Sequence, residues 1–310
     1  MHRIAFVVSP GFQVLSLSAT TVFEFANLST GRAIYEVEVL SEAGRCVRTS
    51  MGLSVDTRPF EDTSFDTVIF TGGTGILPTT PALIDYVRRS VTRSRRVASI
   101  CTGAFVLAEA GILDERRATT HWASARELQL RFPKIKVDDD RIFIVDGPVW
   151  TSAGASASID LALGMVDQDL GADVARRVAK SLVVYHRRGG GQSQHSALLE
   201  LDPKSDRIQA SLDYAKRNLH NNLPVEGLAQ AAHLSVRQFS RAFRAETGQS
   251  PAKAVETLRL EAARVMMEQT SHPIETVAMQ TGFADRERMR RAFLRAFGQP
   301  PQAIRRSANA

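Results

Sequence analysis

Short apolar runs alternate with longer amphipathic segments over roughly the first half of the chain. A short apolar run bounded by turn residues is typical of a buried strand, whereas apolar positions three and four residues apart are typical of a helix. The predicted strands are residues 4–8, 35–40, 67–71, 97–100, 142–145 and 149–152. The predicted helices are residues 17–28, 81–92, 103–110, 124–131, 156–166 and 172–186. This alternation indicates an α/β doubly wound domain with a mostly parallel sheet.

From residue 206 onward the apolar spacing is helical throughout. The predicted helices are residues 208–219, 225–232, 236–246, 252–269, 274–281 and 286–297, within a domain expected to hold seven. Two pairs of a short helix and a longer helix, 225–246 and 274–297, are joined by the helix 252–269. Between the two halves, Gly189-Gly190-Gly191 lies among polar residues and is a linker signal. We therefore expect a domain at 1–187, a linker at 188–205 and an all-α domain at 206–310.

The second half also contains an internal repeat. Arg241-Ala242-Phe243 followed by Gly248-Gln249-Ser250-Pro251 recurs, 50 residues later, as Arg291-Ala292-Phe293 followed by Gly298-Gln299-Pro300-Pro301. Each copy follows a short helix and a break, so the pattern predicts a helix-turn-helix that occurs twice. The resulting fold expectation for 206–310 is an all-α double helix-turn-helix domain.

The net charge is segregated between the two halves. The chain carries +6 overall; residues 206–310 hold 16 basic and 10 acidic residues, and residues 1–205 hold 23 of each. All of the excess positive charge therefore lies in the half that carries the repeat. A basic domain of this kind is typical of nucleic-acid binding, although a solvated basic surface would give the same count.

The second helix of each pair has one apolar face and one arginine-rich face. Val236, Phe239 and Phe243 form the first apolar stripe, and Met289, Phe293 and Phe297 form the second. Arginine can read guanine and glutamine can read adenine in the major groove. The candidate DNA-binding residues are Ser235, Arg237, Gln238, Arg241, Arg286, Arg288, Arg290 and Arg291. A joining helix of about 17 residues spans roughly 25 Å, which with its flanking turns would place the two arginine-rich helices about 34 Å apart, one turn of DNA.

These residues resemble the AraC/XylS family of transcription regulators over about 100 positions. The most specific stretch runs from Thr281-Gly282-Phe283-Ala284-Asp285 to Arg291-Ala292-Phe293. The resemblance implies a seven-helix domain that binds promoter DNA and that commonly acts as an activator together with RNA polymerase.

Residues 97–104 are predicted to form a strand, a sharp turn and a helix, with Cys101 at the turn. A nucleophile elbow has this form, and a helix N-terminus would stabilise a thiolate there. His121 is a plausible base. Gly72 and Gly73 follow another strand, Gly154 follows a third, and ligands bind beyond the carboxyl ends of strands in doubly wound sheets. We therefore predict a ligand-binding pocket at Gly72, Gly73, Cys101, His121, Trp122 and Gly154.

This half resembles the PfpI-like, class I glutamine amidotransferase-like fold. Ala26-Asn27-Leu28, Thr151-Ser152-Ala153-Gly154 and Asp160-Leu161-Ala162-Leu163 fit the resemblance too. Together, the two halves resemble the GlxA subfamily of AraC regulators. That resemblance implies an effector such as an amino acid or a quaternary amine, and a homodimer.

Enzymes of the resembled fold usually carry an acid on the first helix, which pairs with the cysteine. Ser16 or Thr21 stands at the corresponding position, and Glu24 could replace the acid only if the helix shifts. The catalytic set is incomplete, so Cys101 is left as a pocket wall, a redox-sensitive thiol or an inert core residue. We expect a sensor domain joined to a DNA-binding domain and no catalytic residue; the alternatives are a cysteine-dependent hydrolase or amidase, and a redox sensor that uses Cys101.

Other classes of site have little support. The only cysteines are Cys46 and Cys101, no histidines cluster, and Asp138-Asp139-Asp140 fits a solvated turn, so we expect no metal and no cofactor. The apolar run at 4–8 is too short for a signal peptide, and no run is long enough to span a membrane. The expected location is the cytoplasm.

Overall fold

The structure is a computed structural model that describes residues 1–61, 63–184, 194, 201 and 203–308. The chain divides into two compact units, Met1–Gln194 and His195–Ala310. Most of the predicted linker, 188–205, lies outside the described residues, as do residues 185–186 of the predicted helix 172–186. None of the described helices is long and apolar enough to cross a membrane.

The first unit is built on a six-stranded sheet. Its strands are β1 (His2–Val7), β2 (Tyr35–Leu40), β5 (Thr67–Phe70), β6 (Arg96–Ile100), β9 (Phe143–Asp146) and β10 (Val149–Ser152). Their order across the sheet is β2-β1-β5-β6-β10-β9, and only the β9–β10 pair is antiparallel. The prediction of a doubly wound, mostly parallel sheet is confirmed. Two further pairs of two-residue strands are β3 (Val47–Arg48) with β4 (Ser54–Val55) and β7 (Arg117–Ala118) with β8 (Lys136–Val137).

Helices cover both faces of this sheet. The helices are α1 (Ser18–Thr30), α2 (Pro81–Arg93), α3 (Gly103–Glu109), α4 (Trp122–Arg131), α5 (Ala157–Leu170) and α6 (Ala172–Ser181). Successive residues of a strand point to opposite faces. In β1, Ile4 and Phe6 therefore pack with α1, α5 and α6, whereas Ala5 and Val7 pack with α2, α3 and α4. The apolar run at 4–8 is continuous because both faces of its strand are buried.

The predicted helix 172–186 ends earlier than expected. Leu182 caps α6, and Val183 follows it with a φ of 55°. A β-branched residue in the left-handed region cannot continue an α-helix, and sequence periodicity gives no sign of it because residues 182–184 are apolar. The correction shortens the helix to Ala172–Ser181.

A buried ion pair ties the sheet to α5. Asp169, whose side chain has no exposed surface, accepts hydrogen bonds from Arg96 at 2.7 Å, Arg95 at 2.8 Å and Tyr35 at 3.0 Å. Burial alone would raise the pKa of Asp169, but the hydrogen bonds and charges of Arg95 and Arg96 outweigh it and lower that pKa. Burial also raises the pKa of Tyr35. The cluster joins β2, β6 and the end of α5.

The described residues of the second unit from Asp206 to Ala308 form seven helices, which confirms the predicted all-α domain. They are α7 (Asp206–Arg217), α8 (Val225–Ala231), α9 (Val236–Thr247), α10 (Pro251–Gln269), α11 (Ile274–Gln280), α12 (Arg286–Phe297) and α13 (Pro301–Ala308). Both α9 and α12 end at a glycine with positive φ, Gly248 at 74° and Gly298 at 66°. The repeated glycines therefore terminate equivalent helices.

Two separate apolar cores support these helices. The first contains Phe239 and Phe243 of α9 with Leu258 of α10. The second contains Met289 and Phe293 of α12 with other residues of α10. Helix α10 thus contributes its first half to one helix-turn-helix pair, α8–α9, and its second half to the other, α11–α12.

Candidate functional site

Cys101 lies on a sharp turn between β6 and α3. Its φ is 57°, and its backbone N–H donates to the Ser152 carbonyl at 2.9 Å. A non-glycine residue in the left-handed region is uncommon and costs of order 1–3 kcal/mol. Close packing surrounds it: a Cβ on Gly154 would overlap Cys101, and a Cβ on Gly103 would overlap the Phe70 carbonyl. The predicted elbow geometry is confirmed.

Gly72 and Gly73, which follow β5, lie against Thr102 at the start of α3. Thr102 Oγ1 accepts from the Gly73 N–H at 2.9 Å and donates to the Gly73 carbonyl at 3.1 Å. A Cβ on Gly72 would lie 2.5 Å from the Thr102 backbone nitrogen. Gly72 thus lets the loop after β5 approach the elbow closely, and Gly73 bonds to it through its backbone.

The segment that carries His121 and Trp122 borders the same turn. Thr120, which is fully buried, donates from Oγ1 to the Cys101 carbonyl at 2.8 Å. His121 Nδ1 accepts from the Ala123 N–H at 3.3 Å and caps α4, and Trp122 is 52% exposed. All six predicted residues therefore lie at the carboxyl edge of the strands β5, β6 and β10, as the sequence predicted. That they bind a ligand stays a prediction.

The surroundings of Cys101 disfavour its thiolate form. Burial raises the pKa of its thiol, and the hydrogen bonds from Thr102 oppose that effect only in part. Glu24 is exposed, on the side of α1 that faces away from the core, and Ser16 is a buried hydroxyl. A thiol whose pKa is raised by burial stays protonated at neutral pH. The role of Cys101 as a pocket wall stays a prediction.

One further residue at this edge of the sheet was not predicted from the sequence. Gln194, the last residue of the first unit, lay within the predicted linker. Its Oε1 accepts from the Trp122 N–H at 2.9 Å, and its Nε2 lies 2.8 Å from the Thr120 carbonyl and 3.1 Å from the Arg141 carbonyl. Its own N–H donates to Asp140 at 3.2 Å. These hydrogen bonds join residues that are far apart in the sequence, so no periodic pattern in the sequence indicates them.

In the second unit, a capping box fixes the start of α9. Ser235 Oγ accepts from the Gln238 N–H, and Gln238 Oε1 accepts from the Ser235 N–H at 3.2 Å. The two side chains satisfy backbone donors that the helix itself leaves open. Because adenine recognition needs both ends of the amide, Gln238 would have to leave this cap to read a base. The spacing Ser-x-x-Gln could have indicated the cap beforehand.

The arginines of α9 and α12, the longer helices of the two helix-turn-helix pairs, differ in their partners. Within the part of the chain that the structure describes, the side chains of Arg237, Arg241 and Arg244 of α9 are exposed and make no hydrogen bond or ion pair. They stand four and three residues apart, opposite Phe239 and Phe243, so they share one face.

On α12, three exposed arginines are paired with acids. Arg286 contacts Glu275 at 3.1 Å, and Arg290 contacts Glu287 at 2.9 Å. Arg288 lies 3.8 Å from Asp285. Exposed pairs of this kind contribute about 0–1 kcal/mol, so they can exchange partners readily. Arg291 of α12 is also exposed, and within the described residues its side chain makes no hydrogen bond or ion pair. Helix α9 therefore presents three unpaired guanidinium groups, whereas α12 presents one, beside three that must first leave a carboxylate.

Comparison with known protein families agrees with this division. A model of the DJ-1/PfpI family matches residues 2–168, and a helix-turn-helix domain model matches residues 228–307. The crystal structure of an AraC family transcriptional regulator from Pseudomonas putida matches with a TM-score of 0.54 and 22% identity, over 59% of this chain and 100% of that one. This structural likeness shows the fold of the matched part.

Two curated relatives bear on activity. The isonitrile hydratase of Pseudomonas putida is 37% identical over 140 residues, which cover 44% of this chain and 60% of that protein. The HTH-type transcriptional regulator GlxA of Rhizobium meliloti is 32% identical over 99% of this chain and 96% of that protein. Because the second likeness spans both units, the chain belongs to the AraC-type transcriptional regulators that carry an N-terminal DJ-1/PfpI domain.

Proposed function

We propose that this regulator activates transcription at promoters where both long helices, α9 and α12, enter successive major grooves, and that a small metabolite bound in the first unit controls it. The first unit is proposed to be a sensor that ends in a linker at 188–205, and residues 206–310 are proposed to be the DNA-binding domain. The observation that carries the proposal is the row of unpaired arginines on α9, directly opposite its buried phenylalanines.

On DNA, the unpaired guanidinium groups are the best candidates for base recognition. Arg237 lies in the first turn of α9, the part of a recognition helix that contacts base edges. Arg241 and Arg244 continue the same face toward the backbone phosphates. Ser235 and Gln238 hold the helix start in place. On α12, Arg286, Arg288, Arg290 and Arg291 are proposed to divide between bases and phosphates.

In the sensor, the edge around Cys101 suits a small zwitterion. Backbone N–H groups at the start of α3 favour a carboxylate or another anion. The exposed ring of Trp122 can attract a cationic nitrogen, worth about 0.5–2 kcal/mol. An amino acid or a quaternary amine carries both features. His121, Gly72, Gly73 and Gly154 would complete the walls.

Gln194 is the proposed route by which effector binding is sensed at the end of the first unit. Its side chain is held by the backbone of Thr120 and Trp122, and Thr120 in turn is bonded to Cys101. A ligand that shifts this segment would weaken the hold on Gln194. We expect Gln194→Ala to keep operator binding and to lose the effector response in a reporter assay.

The enzyme alternative, a cysteine-dependent hydrolase or amidase, has less support in this chain. The raised pKa of Cys101 and the exposed position of Glu24 leave the thiol without activation. The same raised pKa disfavours a redox sensor, because oxidation proceeds through the thiolate. We propose instead that Cys101 is a pocket wall. The proposed assembly is a homodimer that contacts RNA polymerase.

The full-length protein tests the proposal in two assays. Gel shifts with the DNA upstream of its own gene should show binding whose log affinity falls linearly with log salt, at about 0.9 per phosphate neutralised. Thermal-shift screening against amino acids and quaternary amines should find a ligand that stabilises the native state by about 2.7 kcal/mol at 100 Kd. No DNA binding at low salt would refute the DNA part. A ligand that stabilises Trp122→Ala as much as it stabilises the wild type would refute the site.

A further inference from the structure

The two helix-turn-helix pairs share no core residue. The apolar cluster around α8 and α9 and the cluster around α11 and α12 have separate memberships, and only α10 contributes to both. Their relative position therefore depends on α10 and on whatever contacts connect the pairs directly. Helix α10 runs through both cores, so the freedom that remains lies in how each pair packs against it.

A direct connection exists near the middle of α10. Arg259 donates from Nε to the Leu219 carbonyl at 3.2 Å and from Nη2 to the Asn221 carbonyl at 2.7 Å. Both carbonyls lie just beyond the C-terminal end of α7, which packs in the first core. Arg259 is half-buried at this contact, and this burial lowers the pKa of its guanidinium.

The turn of the second pair completes the contact. Gly282, between α11 and α12, has a φ of 81°. A Cβ at this position would overlap the Leu219 carbonyl and would lie 2.6 Å from Arg259 Nε. Glycine is required here twice, for its backbone conformation and for this close approach.

Beside this contact a cleft of about 720 Å³ lies between the two helix-turn-helix pairs, and Arg259, Asn221 and Gly282 are among the residues that line it. The ion pair between Arg295 and Glu256, at 3.3 Å, also bridges to α10, but it is exposed and therefore weak. The contact of Arg259, Leu219 and Gly282, here named the junction, is the close-packed part of this boundary.

We propose that the junction sets the separation between α9 and α12, and thereby the spacing of the two half-sites that the protein accepts on DNA. The inference rests on the proposed function, in that both helices must enter DNA. One added base pair moves a half-site by about 3.4 Å and rotates it by roughly 35°. A rigid junction cannot follow that change, whereas a loosened one can. Arg259 is in this sense a positioning residue, which touches no base.

The test is selection of binding sites from a randomised duplex library. Full-length wild type, Arg259→Gln and Gly282→Ala are each carried through selection, with Lys253→Gln as the matched control. Lys253 lies on α10 and loses the same charge, but its exposed side chain pairs with Glu256 and not with the residues of the junction. Circular dichroism and thermal unfolding establish that each variant is folded.

Wild type and Lys253→Gln should select two half-sites at one separation. The junction variants should select the same half-site sequences at separations that differ by one or two base pairs. On a duplex with one inserted pair, wild type should lose about tenfold in affinity, the order of one disrupted base contact. Arg259→Gln should lose less than about threefold. Arg259→Lys, which keeps the charge and can reach one carbonyl, should lie between them.

Different negative results distinguish the proposed DNA recognition from the proposed role of the junction. If wild type selects no sequence, the proposed DNA recognition is wrong. If wild type selects two half-sites but tolerates an inserted pair, the junction does not fix spacing. If Arg259→Gln keeps the narrow spacing of wild type, Arg259 does not position the pairs. Should Gly282→Ala lower the folded yield, the wild-type and Arg259 results still decide the matter.

Discussion

Replacing Asp169 by asparagine removes one charge from the buried cluster of the first unit while keeping its shape. Asp169 accepts hydrogen bonds from Tyr35, Arg95 and Arg96, and the Arg96 side chain is only 3% exposed. The substitution leaves the Arg96 guanidinium buried without a counter-charge. Removing one partner of a buried ion pair costs about 3–5 kcal/mol.

The lower end of that range applies here. Asparagine retains one acceptor oxygen for Arg96, so we expect a loss of about 3 kcal/mol in the free energy of unfolding. For a unit of this size, each kcal/mol shifts the midpoint by about 2–4 °C, so Tm should fall by roughly 6–12 °C. The matched control is Arg95→Ala: the Arg95 side chain is 43% exposed, and its loss should cost less than about 1 kcal/mol.

The pH dependence of stability tests whether the charge of Asp169 causes this loss. The pKa of Asp169 is lower in the folded protein than in the unfolded chain, where it is about 3.9. Its contribution is therefore complete above pH 5 and is lost as the pH falls through the unfolded and then the folded value. Wild type and Asp169→Asn should differ by a constant amount from pH 5 to 8 and should converge below about pH 4.

Urea unfolding of the full chain, followed by tryptophan fluorescence and circular dichroism across this pH range, measures the difference. Trp150, whose ring lies 5.6 Å from the Arg96 guanidinium carbon, reports on the first unit. A loss below about 1 kcal/mol at pH 7, or an undiminished difference at pH 3, would refute the view that Asp169 acts through its charge.

Three further predictions concern the candidate sites. Gly154→Ala should lower the free energy of unfolding by about 2–4 kcal/mol, because the positive φ of Gly154 and its contact with Cys101 both oppose a Cβ. The control is Gly147→Ala, which has a φ of 60° and an open environment and should lose only about 1–2 kcal/mol in the same urea experiment. Equal losses would contradict the role of the contact. Iodoacetamide labelling of Cys101 in a Cys46→Ser background should be slower than that of a free thiol and should still accelerate above pH 9; a plateau below pH 8 would show an activated thiolate. Arg237→Ala should weaken operator binding by about 1–3 kcal/mol and relax specificity at one base pair, whereas a uniform loss over all operator variants would identify a phosphate contact.

The sequence predicted all six strands of the main sheet because each has enough apolar positions to stand out, although β2 and β9 are only partly buried. The two-residue strands β3, β4, β7 and β8 carry no period and were missed. The end of α6 was misplaced because residues 182–184 are apolar while Val183 leaves the helical region. Local apolar pattern therefore indicates where an element exists more reliably than where it stops.

The candidate site was predictable to the extent that it depends on topology. Adjacent parallel strands bring their carboxyl ends together, so Gly72, Cys101 and Gly154 were expected to converge, and they do. The hydrogen bonds of Gln194 and the pairing of Arg286 with Glu275, which lies on the preceding helix, depend on how side chains meet in three dimensions. Repeat and spacing identified the exposed face of α9, but they could not show which arginines already had partners.

The separate cores of the second unit also bear on how it loses structure. Native proteins open in cooperative segments whose stabilities follow their own apolar burial. Since Phe239 and Met289 belong to different clusters, each helix-turn-helix pair is expected to be a foldon with its own protection against hydrogen exchange. A substitution in the second core would then melt α12 while α9 stays folded. Such a protein would hold one half-site and release the other, so damage to this domain would reduce regulation by degrees instead of abolishing it at once.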